Sequence, residues 1–328
     1  MEMSHGFRHF AGLVLAAVAG SALAASGSYP NAPITMVVPV SAGASADTIT
    51  RILTVEMSAL LGQSIVIDNR AGANAIIGTN VVAHARPDGY TLLSATGSHA
   101  INAILYKKLP YAAKDFRPVA IIGVTDAHVV VVKPGSPYTS VRQLVDAAKA
   151  PDSRISYGSG GVGNPTHLVG EYFRMLTHTK LLHVPYKGGA PAINALMAGD
   201  VTFLFANPVG VMEQIRQGLL KPIAVTGKQR LPQLPDVPTM AEAGFPEYSL
   251  SAGWQGIFAP RATPPEAVKK LNEAVNTALK NDKVRQRLID LGLVPVGGTP
   301  ADLDALMQRD MAQYGDVIRR AQVLPPED

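Results

Sequence analysis

Apolar runs along this chain alternate with stretches whose apolar positions recur every three or four residues, the signatures of buried strand and amphipathic helix. The order opens with strand Ile34–Val40, helix Ala46–Leu61, strand Ile65–Asn69, helix Ile76–Ala85 and strand Thr91–Ala95. This rhythm predicts a parallel sheet with right-handed crossovers. It breaks at Val119–Val124 and Val129–Val132, two apolar runs parted by Thr125-Asp126 with no helix between them. It then restarts with helix Ser140–Ala148, strand Ile155–Tyr157, helix His167–Leu176, strand Leu181–Val184, helix Ala190–Ala198, strand Val201–Phe205 and helix Val211–Gln217. Pro222–Val225, a Pro-rich loop around Leu231–Pro238 and strand-like Gly253–Phe258 follow, then helices Glu266–Lys280, Asp282–Asp290 and Ala301–Ala321.

Two copies of one layout predict an α/β protein with two lobes, each a mainly parallel sheet flanked by helices. The chain crosses between them near residue 126 and returns near 224. Lobe one then takes 26–126 plus 225–328 and lobe two 127–224, with a ligand cleft between them. Two crossing strands make a hinge.

Composition narrows the setting. Residues 1–25 have the layout of a secretory signal peptide: Arg8, then the small and apolar run Ala11–Ala19, then an A-x-A site ending at Ala24. No later stretch approaches ~20 uninterrupted apolar residues. A protein exported across the inner membrane to the periplasm is expected, and a chain with no cysteine suits that oxidising compartment. The net charge of +4 is spread without a basic run, which argues against nucleic acid and favours small anionic ligands.

In open α/β sheets, ligands bind beyond the carboxyl ends of strands, where loops lead into helix N-termini. Here those loops share one chemistry. They read Ser41-Ala42-Gly43-Ala44-Ser45-Ala46-Asp47, Thr96-Gly97-Ser98-His99, Gly158-Ser159-Gly160-Gly161-Val162-Gly163-Asn164-Pro165-Thr166 and Lys187-Gly188-Gly189-Ala190-Pro191. Small residues let a ligand reach the backbone, and the first amides of a helix lack internal partners and carry the positive end of its dipole. An organic anion can use both. Tight βα connections favour glycine anyway, so each loop alone is ambiguous, and Asp47 fits a helix's first turn whatever binds nearby. Four such loops, two from each lobe, point to a shared carboxylate cleft.

Rival chemistries lack their partners. Gly158-Ser159-Gly160-Gly161-Val162-Gly163 matches the dinucleotide fingerprint G-x-G-x-x-G, but the acid that should follow about 20 residues on is absent. No cofactor is expected. His84, His99, His128, His167, His178 and His183 show no metal-ligand spacing. An exported hydrolase acting on a small carboxylate ester is the alternative from another class, yet no G-x-S-x-G elbow surrounds Ser98 or Ser159. His99 and His167 sit at helix starts and either face the cleft or are structural. Trp254 is read as a core aromatic of lobe one, with the pocket wall as its other placement.

The motifs then form a recognisable series: Tyr29-Pro30-x-x-Pro33-Ile34, Val38-Pro39 with its small loop, Asp68-Asn69-Arg70-Ala71-Gly72-Ala73, and Pro87-Asp88-Gly89-Tyr90-Thr91-Leu92-Leu93. Tyr106-Lys107-Lys108-Leu109-Pro110-Tyr111, Asp115-Phe116, Tyr157-Gly158-Ser159-Gly160-Gly161 and Pro165-Thr166-His167-Leu168 continue it. His183-Val184-Pro185-Tyr186-Lys187-Gly188-Gly189, Leu234-Pro235-Asp236-Val237-Pro238-Thr239 and Glu242-Ala243-Gly244 complete it. Over about residues 29 to 320 the chain resembles the Bug family, or TctC-like receptors, the extracytoplasmic solute-binding proteins of tripartite tricarboxylate transporters.

The resemblance implies a type II periplasmic-binding-protein fold that closes over a small carboxylate and delivers it to a membrane permease of one large and one small subunit. It implies a binding protein and not an enzyme, expected to act as a monomer. Carried over by residue, it points to Ser41, Ala42, Gly43, Ala44, Ser45 and Asp47 in lobe one and to Ser159, Gly160, Gly161, Thr166 and His167 in lobe two. The strand-end loops add Thr96, Ser98, His99 and Asn207 as candidates. Two departures stand out. The first loop lacks the family's aromatic and proline wall, and Phe205-Ala206-Asn207-Pro208 lacks an Asp often found before the Asn. Without that acid an ammonium has one partner fewer, which favours a non-amino carboxylic acid.

Overall fold

The computed structural model describes residues 29–248, 250 and 253–325; the expected signal peptide and its cleavage site lie outside them. The first sheet is built from β1 (Ile34–Val38), β2 (Ile65–Asn69), β3 (Thr91–Thr96), β4 (Phe116–Thr125), β10 (Gly253–Pro260) and β11 (Val294–Pro295). Its order is β11-β4-β10-β3-β1-β2. The second sheet contains β5 (Val129–Val132), β6 (Ser156–Ser159), β7 (Leu182–Pro185), β8 (Phe203–Ala206) and β9 (Lys221–Val225), ordered β7-β6-β8-β5-β9.

Parallel pairing holds where strands are joined through helices. β1 pairs parallel with β2 and β3 across α1 (Ser45–Leu61) and α2 (Ile76–Ala83). β6 likewise pairs parallel with β7 and β8, across α5 (Pro165–Thr177) and α6 (Gly189–Ala198). Antiparallel pairs enter with the strands that carry the chain between sheets: β10 beside β3 and β4, and β5 beside β8 and β9. A strand arriving from the other lobe has no crossover helix to turn it round, so its direction is set by where it crosses. The sheets are therefore mixed.

Each sheet has its own core. Ile34, Met36 and Val38 of β1 pack with Leu53 and Met57 of α1 and with Leu271 and Val275 of α8 (Pro265–Ala278). In the second lobe Val130 and Val132 of β5 pack with Tyr157, Phe203, Phe205 and Phe173. The residues after β9, expected in lobe one, pack on this second lobe. Leu231, Leu234 and Val237 join Val129 and Val131, while Met240, Tyr248 and Leu250 join Phe173 and Phe205. The Pro-rich loop carries enough large apolar side chains, Leu231, Leu234 and Val237, to be held against β5.

A further link joins the lobes. Ile101 and Leu105 of α3 (Gly97–Leu105) and Tyr314 and Val317 of α10 (Pro300–Ala321) share one apolar cluster with Leu168 and Val169 of α5.

Candidate functional site

A cavity of about 230 Å³ lies between the two sheets. It suits a small solute, being below the ~300–1,000 Å³ of common ligand pockets. Five helices present their N-terminal ends to it: Ser45 and Ala46 of α1, Gly97 of α3, Pro165 and Thr166 of α5, Gly189 and Ala190 of α6, and Asn207 and Gly210 at α7 (Pro208–Arg216).

Their caps divide them. Asn164 Oδ1 accepts the Thr166 N–H at 3.1 Å and Asn207 Oδ1 accepts the Val209 N–H at 3.0 Å, so α5 and α7 are closed by their own side chains. Ala44 of α1, Thr96 of α3 and Gly188 of α6 supply no side-chain cap. Two uncapped N-termini from the first lobe thus face one from the second. Among the described residues lining the cavity, none is Asp, Glu, Lys or Arg. What draws an anion here is therefore the unpaired amides and dipoles of the helix starts.

Of the residues singled out from the sequence, Gly43, Ala44, Ser45, Thr96, Ser159, Gly160, Thr166 and Asn207 line the cavity. The others lie outside its lining for separate reasons. Ser41 and Ala42 are exposed at the loop's outer edge. Asp47 is turned inward: its Oδ2 accepts from Gly43 N–H at 2.8 Å and Arg51 Nε at 2.9 Å, and its Oδ1 from Asn69 Nδ2 at 2.9 Å. Burial would raise this carboxyl's pKa, but the Arg51, Gly43 and Asn69 hydrogen bonds outweigh it and hold the pKa below its ordinary value. Asp47 therefore fixes the loop's shape. Ser98 donates to Asn74 Oδ1 at 3.3 Å, and Gly161 N–H donates to Ser159 Oγ at 3.1 Å.

The two histidines are structural. His99 is buried among Tyr111, Phe116 and Phe258, and burial alone lowers its pKa to about 4. His167 accepts the Gly163 N–H on Nδ1 and stacks on His183, ring centroids 4.0 Å apart. In a helix's first turn a side chain can face inward or outward, and here the apolar core and the His183 ring took these two.

Ser159 Oγ stands 2.6 Å from His183 Nε2, the spacing of a nucleophile and its base. Burial, then His167, pushes His183 down to about 3, so it is a feeble base at neutral pH. The nearby Glu171 is engaged by Tyr157 Oη at 2.6 Å and Arg174 Nε at 2.8 Å and does not orient the imidazole. The hydrolase constellation is incomplete. What the pair does is hold the loop after β6, together with Thr166 Oγ1, which accepts the Gly160 N–H at 3.0 Å.

Other lining residues escaped the sequence reading: Asn164, Gln214, Thr125, His128 and Gln255. Asn164 stood within a named loop. Thr125 and His128 lie where the chain leaves the first sheet, at the end of β4 and just before β5, Gln255 lies far off in sequence on the returning β10, and no local pattern marks them. Trp254 does both jobs considered for it, lining the cavity while packing in the first lobe's core.

Comparison with known proteins gives this arrangement its family. Residues 49–323 match the model of TctC, the tripartite tricarboxylate transporter family receptor. Protein BugT of Bordetella pertussis is 33% identical, with 94% of this chain and 95% of BugT covered. Rpa4515 of R. palustris, solved with adipate, is 35% identical with a TM-score of 0.86, covering 90% of this chain and 99% of that one. MatC of Rhodopseudomonas palustris, solved with bound malate, is 32% identical with a TM-score of 0.83, covering 88% and 100%. This chain belongs to the tripartite tricarboxylate transporter receptor family of TctC and Bug proteins, and is a solute-binding receptor, not an enzyme.

Proposed function

We propose that the protein captures a small organic carboxylate in the cavity between its lobes, in the periplasm, and hands it to a tripartite tricarboxylate-type permease. The observation that carries this reading is the meeting of uncapped helix N-termini from both lobes on a cavity whose described lining holds no charged side chain. The adipate and malate of Rpa4515 and MatC support it. So does the energy scale. Micromolar affinity needs about 8 kcal/mol. A carboxylate at a partly buried helix N-terminus gains up to ~2 kcal/mol, and each hydrogen bond to a charged group about 1.5–3 kcal/mol.

A ligand held from both sides binds best when the lobes are together, and so selects that arrangement. Ser45 and Thr96 from the first lobe, and Ser159 with the amides of Gly189 and Ala190 from the second, are the contacts we assign to it. A thermal-shift screen against mono- and dicarboxylates tests the reading: at least one acid should raise the melting temperature. Ser159→Asp, which puts a negative charge where the carboxylate sits, should abolish that rise. A variant that still responds in full places the ligand elsewhere.

A further inference from the structure

The chain contains two Asn-Pro steps, Asn164-Pro165 and Asn207-Pro208, and each starts a helix of the second lobe. Both asparagines line the cavity and are partly exposed. The first turns of α5 and α7 keep no backbone donor for a solute. Proline at the first position has no N–H. The second amide, of Thr166 or Val209, goes to the asparagine's own Oδ1. The third, of His167 or Gly210, goes to the asparagine's backbone carbonyl, at 2.9 and 3.0 Å.

Those bonds fix the polarity of each side chain. A backbone N–H can only donate, so the capping atom is the oxygen and the atom left over is the nitrogen. At Asn164 the Thr166 hydroxyl donates to the same oxygen at 2.9 Å, and that hydroxyl is held in turn by the Gly160 N–H. No described residue accepts a hydrogen bond from Asn164 Nδ2 or Asn207 Nδ2, and neither nitrogen is sealed from solvent. Each asparagine therefore brings free N–H groups, and no free acceptor fixed in place of them, to a described lining without Lys or Arg. An ammonium meets only another donor there. A carboxylate oxygen meets its partner.

We propose that Asn164 and Asn207 hold the solute's carboxylate oxygens through their side-chain N–H groups while their own oxygens cap α5 and α7. The two capped helices then bind through their caps, and the uncapped α1, α3 and α6 through their amides. This rests on the carboxylate reading above and deepens it.

Serine caps a helix about as well as asparagine but has no nitrogen to give. Asn164→Ser and Asn207→Ser should each keep the ligand-free melting temperature. In calorimetric titration with malate, adipate and hexanoate, each should weaken the tightest of the three by about tenfold or more, the equivalent of one hydrogen bond to a charged group. Asn164→Asp and Asn207→Asp keep cap and shape but replace the N–H groups with a charged oxygen. Their ligand-free melting temperature should hold or rise, and carboxylate binding should be lost. A serine or aspartate variant that binds as tightly as the unmodified protein overturns the assignment of that asparagine. Affinity lost only together with melting temperature marks a purely structural cap and overturns it too. If the unmodified protein binds none of the three acids, the carboxylate reading itself falls and this assignment with it.

Discussion

Gly210 of α7 faces Ser45 of α1 across the cavity so closely that a Cβ on the glycine would lie 2.8 Å from Ser45 Oγ. One residue belongs to each lobe, so this contact exists only while the lobes are together. Gly210→Ala should therefore weaken ligand binding, by about tenfold if relieving the overlap takes 1–3 kcal/mol. Inside a helix the same change favours folding by up to ~1 kcal/mol, so the ligand-free melting temperature should hold or rise. Adding Ser45→Ala removes the opposing oxygen and should restore affinity. Unaltered binding by the single variant would show that the lobes need not approach this far.

Gly189 offers a cleaner way to test the helix N-termini. It starts the uncapped α6, lines the cavity, and has no atom within 4 Å of an added Cβ. Gly189→Asp should sit without strain and interact favourably with the helix dipole, about 0.3–1 kcal/mol. It should also fill with negative charge the space a carboxylate needs. Stability should be kept while carboxylate binding is lost, read by melting and titration on one sample.

Trp254 is the chain's single tryptophan, and its Nε1–H donates to Asp310 Oδ2 of α10 at 2.6 Å. Because its ring lines the cavity, saturating ligand should change the tryptophan emission. An unchanged spectrum would move the ligand out of this cavity. Asp310→Ala leaves the buried indole N–H bare and should lower stability by about 1–3 kcal/mol, while Asp310→Asn, which keeps an oxygen acceptor, should lower it less.

The buried histidines give stability a pH dependence. Burial lowers His99 and His128 from 6.5 to about 4. Between those values the unfolded chain holds the protons that the folded one refuses, so stability falls as pH drops from 6.5 toward 4. Each contributes at most about 3 kcal/mol to that loss. Asp310 acts the other way: burial raises it to about 6, so it loses stability as pH rises from 3.8 through 6. Two histidines outweigh one carboxyl, and the melting temperature should fall on acidification. His99→Phe, in its aromatic surroundings, should flatten that fall; an unchanged slope would place the proton uptake elsewhere.

Local pattern was enough for the two-lobed α/β layout, the helices and the small-residue loops, because period and turn chemistry are written in neighbouring residues. It also yielded Gly43 to Ser45, Thr96, Ser159, Gly160 and Thr166 at the cavity, since a strand end followed by a helix start is a local feature. Tertiary structure decided the rest. It turned Asp47 toward Arg51 and Asn69, and buried His99 among the rings of Tyr111, Phe116 and the distant Phe258. It kept the Pro-rich segment on the second lobe, and it brought Thr125, His128 and Gln255 to one wall across more than a hundred residues. Burial and partnership depend on what the rest of the chain brings alongside, and no window of sequence contains that.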